Sequence, residues 1–172
     1  ALALKLLETA TDKRIFAFTD AGNRHKLDIS EDKLQCKLTD EGASLRDLAK
    51  DADVDEKVVA LFETGERMPY GNLLFFTKKG MIKKTDWAEY EQKKDSFQAV
   101  KLGDGDEVLA VENETDEEDT VIMVTRQGIC LNATKEDIPA QGRIATGVRG
   151  IQLHEGDEVA FASQINGEGE VI

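Results

Sequence analysis

Three stretches of the chain share one alternation of apolar and polar positions. They open at Arg14 (RIFAFTDAGNRHKL), Asn72 (NLLFFTKKGMIKKT) and Thr120 (TVIMVTRQGICLNA). Each is an apolar run of strand length, then a threonine, two residues that are polar except for Ala21, a glycine and a second strand-like run. The threonines are Thr19, Thr77 and Thr125, and the glycines are Gly22, Gly80 and Gly128. Alternation of period two marks a half-buried strand. A glycine at a fixed place between two such runs supplies the positive φ of a tight turn. Each stretch is therefore predicted to form a β-hairpin.

A second pattern recurs downstream. GDEVLAV from Gly105 and GDEVAFA from Gly156 match closely, and DEKVVALF from Asp55 is a looser copy. Ahead of the first two stand FQAVKL from Phe97 and VRGIQL from Val148, which also alternate. The spacing predicts strand, Gly-Asp turn, strand, hence a second hairpin and four short strands per unit. Units are expected at about 9–63, 64–111 and 112–163, with extra length in the first between Lys33 and Asp55. Flanking strands are expected at 1–8 and 164–172, borrowed from neighbouring units. The chain starts at Ala1 in mid-pattern and is expected to be one piece of a longer protein. Four-stranded units repeating every ~40–50 residues predict an all-β, propeller-like ring of blades, partial in this piece. Only short turns after Thr85 and Thr134 are expected to be helical.

Composition narrows the function classes. The net charge is −13, which argues against nonspecific nucleic-acid binding by the whole surface but leaves room for a local basic stripe. No apolar run has the ~18 residues of a membrane span. Cys36 and Cys130 stand far apart, outside any Cys-x-x-Cys pair, and are expected to be free, buried thiols in a reducing cytoplasm rather than zinc ligands. No metal site and no Gly-Lys-Ser/Thr phosphate loop is visible. His25 and His154 read as lone surface residues in polar turns. Tyr70 and Tyr90 lack the surrounding groups that would activate a nucleophile, so no catalytic residue is assigned. Trp87 beside Tyr90 reads as an anchor between blades.

The recurring stretches LFFTKKGMIKKT from Leu74 and GRIATGVRGIQLHEGDEV from Gly142, set in units of about 50 residues, resemble a known family. It is the C-terminal region of the A subunit of bacterial type IIA topoisomerases, DNA gyrase and topoisomerase IV. The resemblance covers nearly the whole chain and is weakest between Lys33 and Asp55. It implies a β-pinwheel, a disc whose blades exchange strands and whose outer rim binds and bends duplex DNA. In the gyrase case it implies DNA wrapping and ATP-driven negative supercoiling. The implied partners are double-stranded DNA, the B subunit and the remainder of the A subunit in an A2B2 complex, in the bacterial cytoplasm at the nucleoid. The catalytic tyrosine, ATP and Mg2+ would belong to other parts of the parent enzyme, with no cofactor in this segment.

Phosphate contacts from Lys and Arg hold duplex DNA, and contacts along an arc bend it. Repeated blades place cations at regular steps around a rim. The candidates are Arg24 and Lys26 in the first unit, Lys78, Lys79, Lys83 and Lys84 in the second, and Arg126, Arg143 and Arg149 in the third. Gly142, Gly147 and Gly150 either bring backbone N–H groups to a phosphate or shape the turn into the next strand, and the turn is favoured. The basic signature box of gyrase, Gln-Arg-Arg-Gly-Gly-Lys-Gly, is matched at three of seven positions by the segment from Gln141 to Gly147. By unit the net charge is −4, 0 and −7, so the second unit is the best candidate for DNA contact. The acidic run from Glu112 to Asp119 is expected in a solvated loop away from the rim or acting as a brake on affinity. The rival reading is an acidic propeller-like module that docks a basic protein partner without binding DNA.

Overall fold

The computed structural model describes residues 13–30 and 41–166. The strand expected at 1–8, the part beyond Asn166 of the one expected at 164–172, and Cys36 lie outside these residues; Gln164 and Ile165 belong to the strand Val159–Ile165 of the third sheet rather than to a separate flanking strand. The described chain is almost entirely antiparallel β-structure in three sheets. Strands β1 (Arg14–Thr19) and β2 (Asn23–Lys26) form the first hairpin, β4 (Asn72–Thr77) and β5 (Met81–Asp86) the second, and β8 (Thr120–Thr125) and β9 (Cys130–Thr134) the third.

One local device repeats in all three hairpins. The glycine N–H donates to the threonine carbonyl at 3.0 Å each time (Gly22 to Thr19, Gly80 to Thr77, Gly128 to Thr125). The threonine hydroxyl then accepts from the backbone N–H four residues on, at 3.4 Å from Asn23, 3.0 Å from Met81 and 3.1 Å from Ile129. The glycines take φ of 80°, 90° and 85°, a region costly for any residue with a Cβ. Thr-x-x-Gly is thus fixed by turn chemistry rather than by a ligand.

The second pattern departs from the hairpin expected of it. Strand β3 (Val58–Thr64) pairs with β1, β7 (Val108–Asn113) with β4, and β11 (Val159–Ile165) with β8. The strands that precede the last two join a different sheet. β6 (Ser96–Gln98) adds to β2 and β10 (Val148–Arg149) adds to β5, giving the orders β3-β1-β2-β6, β10-β5-β4-β7 and β11-β8-β9. The Gly-Asp turns therefore connect sheets instead of closing hairpins. Alternation tells that a strand is half-buried; it does not tell which neighbour it pairs with. The exchange implied by the family resemblance is what the structure has.

The three sheets fan out from β3, β7 and β11, which neighbour one another along the inner side. The exchanged strands β6 and β10 form the outer edges. Two cores fill the gaps. Phe16, Phe18, Leu73, Phe75, Trp87 and Val111 share one, between the first and second sheets. Leu74, Phe76, Ile82, Val121, Met123 and Val159 share the other, between the second and third. Alternate residues of β4 serve opposite cores, which is why its sequence is an unbroken apolar run, LLFF. Trp87 anchors the first gap: its ring meets Phe62 edge-on at 5.3 Å and its Nε1 donates to Asn113 Oδ1 at 2.7 Å. The short turns expected after Thr85 and Thr134 are single 3₁₀ turns, Trp87–Tyr90 and Lys135–Asp137. In the poorly matching part of the first unit lies a four-residue helix, α1 (Leu45–Leu48), held by a reciprocal cap between Ser44 and Asp47.

Candidate nucleic-acid interface

The nine candidate cations divide between two regions. Lys78, Lys79 and Arg126 sit at the hairpin tips. Arg24, Lys26, Lys83, Lys84, Arg143 and Arg149 lie on the outer strands and the loop that feeds β10.

At the tips, the repeated Gly-Asp-Glu string supplies the partners. Asp106 Oδ1 accepts from the Lys79 N–H at 3.0 Å and the Glu107 N–H at 2.8 Å. Asp157 Oδ1 does the same for Gln127 at 3.1 Å and Glu158 at 2.8 Å. The following glutamates then pair with the tip cations, Glu107 with Lys78 and Glu158 with Arg126. The hydrogen bond from Lys78 to Glu107 holds the Lys78 ammonium above the ordinary lysine range, and Glu158 and Asp20 act in the same direction. The first unit inverts the polarity. Asp20 replaces the cation after the threonine, and Lys57, whose N–H donates to Asp20 Oδ1 at 2.9 Å, replaces the glutamate. Lys79 also donates through Nζ to the Asp104 carbonyl. The tip row is therefore close to charge-balanced.

On the outer strands, burial separates the candidates. Lys83 is 1% exposed and Arg24 is 2% exposed, which corrects their assignment as surface cations. Lys83 Nζ donates to the Ala99 carbonyl at 2.7 Å, to the Tyr90 hydroxyl at 3.2 Å and to the Arg143 carbonyl. Burial, with Arg143 nearby, lowers its pKa to about 7. The Arg24 guanidinium lies between the rings of Phe16 (4.3 Å) and Phe97 (4.1 Å), and burial lowers its pKa to about 10 against the pull of Asp95. Lys84 is mostly buried and pairs with Glu114 at 3.2 Å. Arg143 stacks on Phe97 at 4.9 Å and donates to the Gln98 carbonyl. Lys26 and Arg149 are exposed.

The glycines of the β10 loop follow the favoured reading at two of three positions. A Cβ on Gly147 (φ 93°) would overlap the Ile82 carbonyl oxygen and lie 2.9 Å from Lys83 Cβ; on Gly150 it would lie 2.6 Å from Ile82 Cδ1 and 2.8 Å from Met123 Sδ. Gly147 is needed for β10 to seat on β5, since a Cβ there meets backbone; at Gly150 the atoms met belong to the Ile82 and Met123 side chains. Gly142 faces open space.

Three other expectations change. His25 is buried in β2, with Nδ1 2.7 Å from Ser96 Oγ and Nε2 3.0 Å from Glu56 Oε1. Burial opposes ionisation of Glu56, but hydrogen bonds from His25, Asn23 and Thr19 outweigh it and bring its pKa down to about 2. Cys130 is exposed, because β9 is the edge of the third sheet and its outward face carries no neighbour among the described residues. The acidic run is only partly a loop. Glu112 accepts from Ser163 and Gln164 on β11 at 2.8 Å, Glu114 accepts from Asn72 at 2.7 Å, and the remainder connects β7 to β8 at the end of the sheets away from the hairpin tips.

Sequence reasoning misses Arg14, Lys93 and Lys94. Arg14 pairs with Glu91 at 3.0 Å, and the two lysines are exposed in the loop before β6. The Lys-Lys pair is readable, but it sits in a stretch that does not repeat. Tyr90 is buried, donating to the Ala99 carbonyl at 2.8 Å, and burial raises its phenol pKa well above the ordinary range. Among the described residues no group of three or more His, Cys, Asp or Glu is placed to hold a metal ion. None of the described helices is long and apolar enough to cross a membrane.

Comparison with known proteins bears on the whole arrangement. Residues 71–113 and 119–166 match the family model for the DNA gyrase C-terminal domain, β-propeller. The DNA gyrase A subunit of Helicobacter pylori is 31% identical over 119 residues, covering 69% of this chain and 14% of that protein. The DNA gyrase A subunit of Escherichia coli K12 is 28% identical over 171 residues, covering 98% of this chain and 19% of that protein. The crystal structure of the C-terminal domain of DNA topoisomerase IV superposes with a TM-score of 0.83 at 26% identity, covering 95% of this chain and 50% of that one. The chain thus spans less than a fifth of the length of these gyrase relatives.

Proposed function

The chain belongs to the family of DNA gyrase C-terminal β-propeller domains, and from that membership we propose that it binds and bends duplex DNA within the A subunit of a type II topoisomerase. Its three repeat units, at about 9–63, 64–111 and 112–163, act as one domain that presents a duplex for strand passage and so controls supercoiling. It carries no catalysis of its own. The reactive tyrosine, the ATP and the Mg2+ act in the B subunit and in the rest of the A subunit of an A2B2 complex, in the bacterial cytoplasm at the nucleoid.

The observation that supports this most is the segregation of charge. The tip cations, half-buried Lys78 and exposed Arg126, are bound to glutamates, whereas Lys26 and Arg149 on β2 and β10 are exposed and stand outside those pairs. A duplex laid along the outer edge meets cations at successive blades without meeting the acidic loop after Glu114. Phosphate contacts set in this way bend DNA without reading bases.

Band shift of a duplex of ~40 bp at low salt tests the reading. Replacing Lys26 and Arg149 together with Gln is expected to weaken binding by about tenfold, while replacing Lys78 and Arg126 changes it by about twofold or less. Equal losses from the two pairs would remove the outer edge as the interface. The exposed acidic side chains Asp116 and Glu117 favour a second reading, the docking of a basic protein partner. It predicts loss of that partner, and no change in DNA binding, on replacing them with Asn and Gln.

A further inference from the structure

Arg24 forms part of the wall of a small pocket of about 190 Å³ between β2 and the loop that leads into β6. At the ~30 Å³ that a water occupies in the liquid, this is room for one phosphate group and a few waters. Five of its lining residues are cationic: Arg14, Arg24, Lys26, Lys93 and Lys94. Two are acidic, and one of those, Glu91, is already paired with Arg14.

The arrangement of Arg24 sets this pocket apart from a patch of surface lysines. Its guanidinium is clamped between Phe16 and Phe97, so its plane is fixed before anything binds. Its Nη2 donates to the Lys94 carbonyl at 3.1 Å, which ties the lysine loop to the same group. Its Nε is buried and has no hydrogen-bond partner. Buried donors in folded proteins nearly always have acceptors; the carboxylates that favour the charged Arg24 are Asp95 and Glu91, both in the pocket wall. A clamped guanidinium in the wall of a pocket ringed by exposed cations is a geometry suited to an oxyanion.

We propose that this pocket binds a phosphate group, and that the phosphate belongs to the backbone of a DNA duplex lying along the outer edge between the first two blades. The naming of the duplex as source rests on the proposed DNA-binding function; the pocket's chemistry does not. Arg24 orients the phosphate from inside the fold, and Lys26, Lys93 and Lys94 supply charge from the rim. The signature-like segment from Gln141 to Gly147 is then not the main anchor, because Arg143 already stacks on Phe97 and donates to Gln98.

The test follows the Arg24 Nε–H resonance of the ¹⁵N-labelled chain during titration with inorganic phosphate, with a ~40 bp duplex, and with chloride at matched ionic strength. Shifts with phosphate and with duplex, and none with chloride, are expected. Duplex binding detected by band shift with Arg24 unmoved by either titrant overturns the pocket and leaves the DNA-binding reading intact. A shift with phosphate and no duplex binding keeps the pocket as a free-phosphate site and removes that reading. Replacing Arg24 endangers the core, so the supporting variant is K26Q/K93Q, both exposed. It is expected to lower phosphate affinity about two- to fivefold per lysine. Unchanged affinity in that variant would also overturn the proposal.

Discussion

Lys83 is the residue whose chemistry departs furthest from its place in the sequence. It looks like a rim cation and is instead a buried strut joining β5, the segment after β6 and the loop before β10. Its lowered pKa, about 7, sits below the ~10.4 of an unfolded lysine. Between these values the unfolded chain holds a proton that the folded chain has lost, so stability rises with pH across that window. Urea denaturation from pH 7 to 9.5 is expected to show that rise in the native chain and a flat profile in Lys83→Met. The same rise in both would assign it to another group. Glu56 has the opposite sign. Its pKa of about 2 lies below the usual carboxylate range, so the stabilisation it gives is present above about pH 4.5 and lost as pH falls through about 2. Glu56→Gln is expected to remove most of the acid sensitivity in that window while keeping an oxygen to accept from Thr19 and Asn23. At Gly147, where φ is positive and Ile82 leaves no room, substitution by Ala is expected to cost about 2–3 kcal/mol. Gly142→Ala, in open space, should change thermal stability by about 0.5 kcal/mol or less.

The elements are joined by exchange, and that has a consequence for cooperativity. β6 completes the first sheet while its chain continues into the second, and β10 links the second and third in the same way. The first and second sheets cannot open without releasing a strand whose chain continues into the next sheet. Trp87 is the single tryptophan and reports the gap between the first two sheets. Its fluorescence and the far-UV circular dichroism are expected to change in one coincident transition. Separate midpoints would mean that the blades unfold singly. The strands themselves are legible in the sequence because alternation and Thr-x-x-Gly turns are local properties of the chain. Their partners are not, since the Gly-Asp turn looks the same whether the strand before it folds back or joins the next sheet. The misplaced site residues have the same origin. Lys83 and Lys84 are neighbours in a lysine-rich hairpin, and only the arrival of Arg143 and Ala99 from other elements buries the first. His25 reads as a turn residue because Ser96 and Glu56 lie 71 and 31 residues away. Lys93 and Lys94 lie outside the repeated hairpins, and Arg14 stands where the other two repeats carry Asn72 and Thr120, so the repeat marks none of the three.

At the scale of the whole molecule, a net charge of −13 and a DNA-binding role are compatible because the charge is sorted. Tip cations Lys78 and Arg126 meet glutamates, the acidic run faces away from the tips, and the exposed cations Lys26, Lys93, Lys94 and Arg149 lie on or beside the outer strands. The proposed DNA binding is expected to be electrostatic, moderate and strongly salt-dependent, since each neutralised phosphate contributes about −0.9 to the slope of log affinity against log salt. Lys26, Lys93, Lys94, Arg143 and Arg149 set the upper limit for that slope. The measurement that tests this most directly is the affinity of the 172-residue chain for a ~40 bp duplex across a salt series. A slope of about −3 to −4 is predicted, reduced by about 1 to 2 in K26Q/R149Q. Absence of binding at the lowest salt, or a slope near zero, would contradict the account.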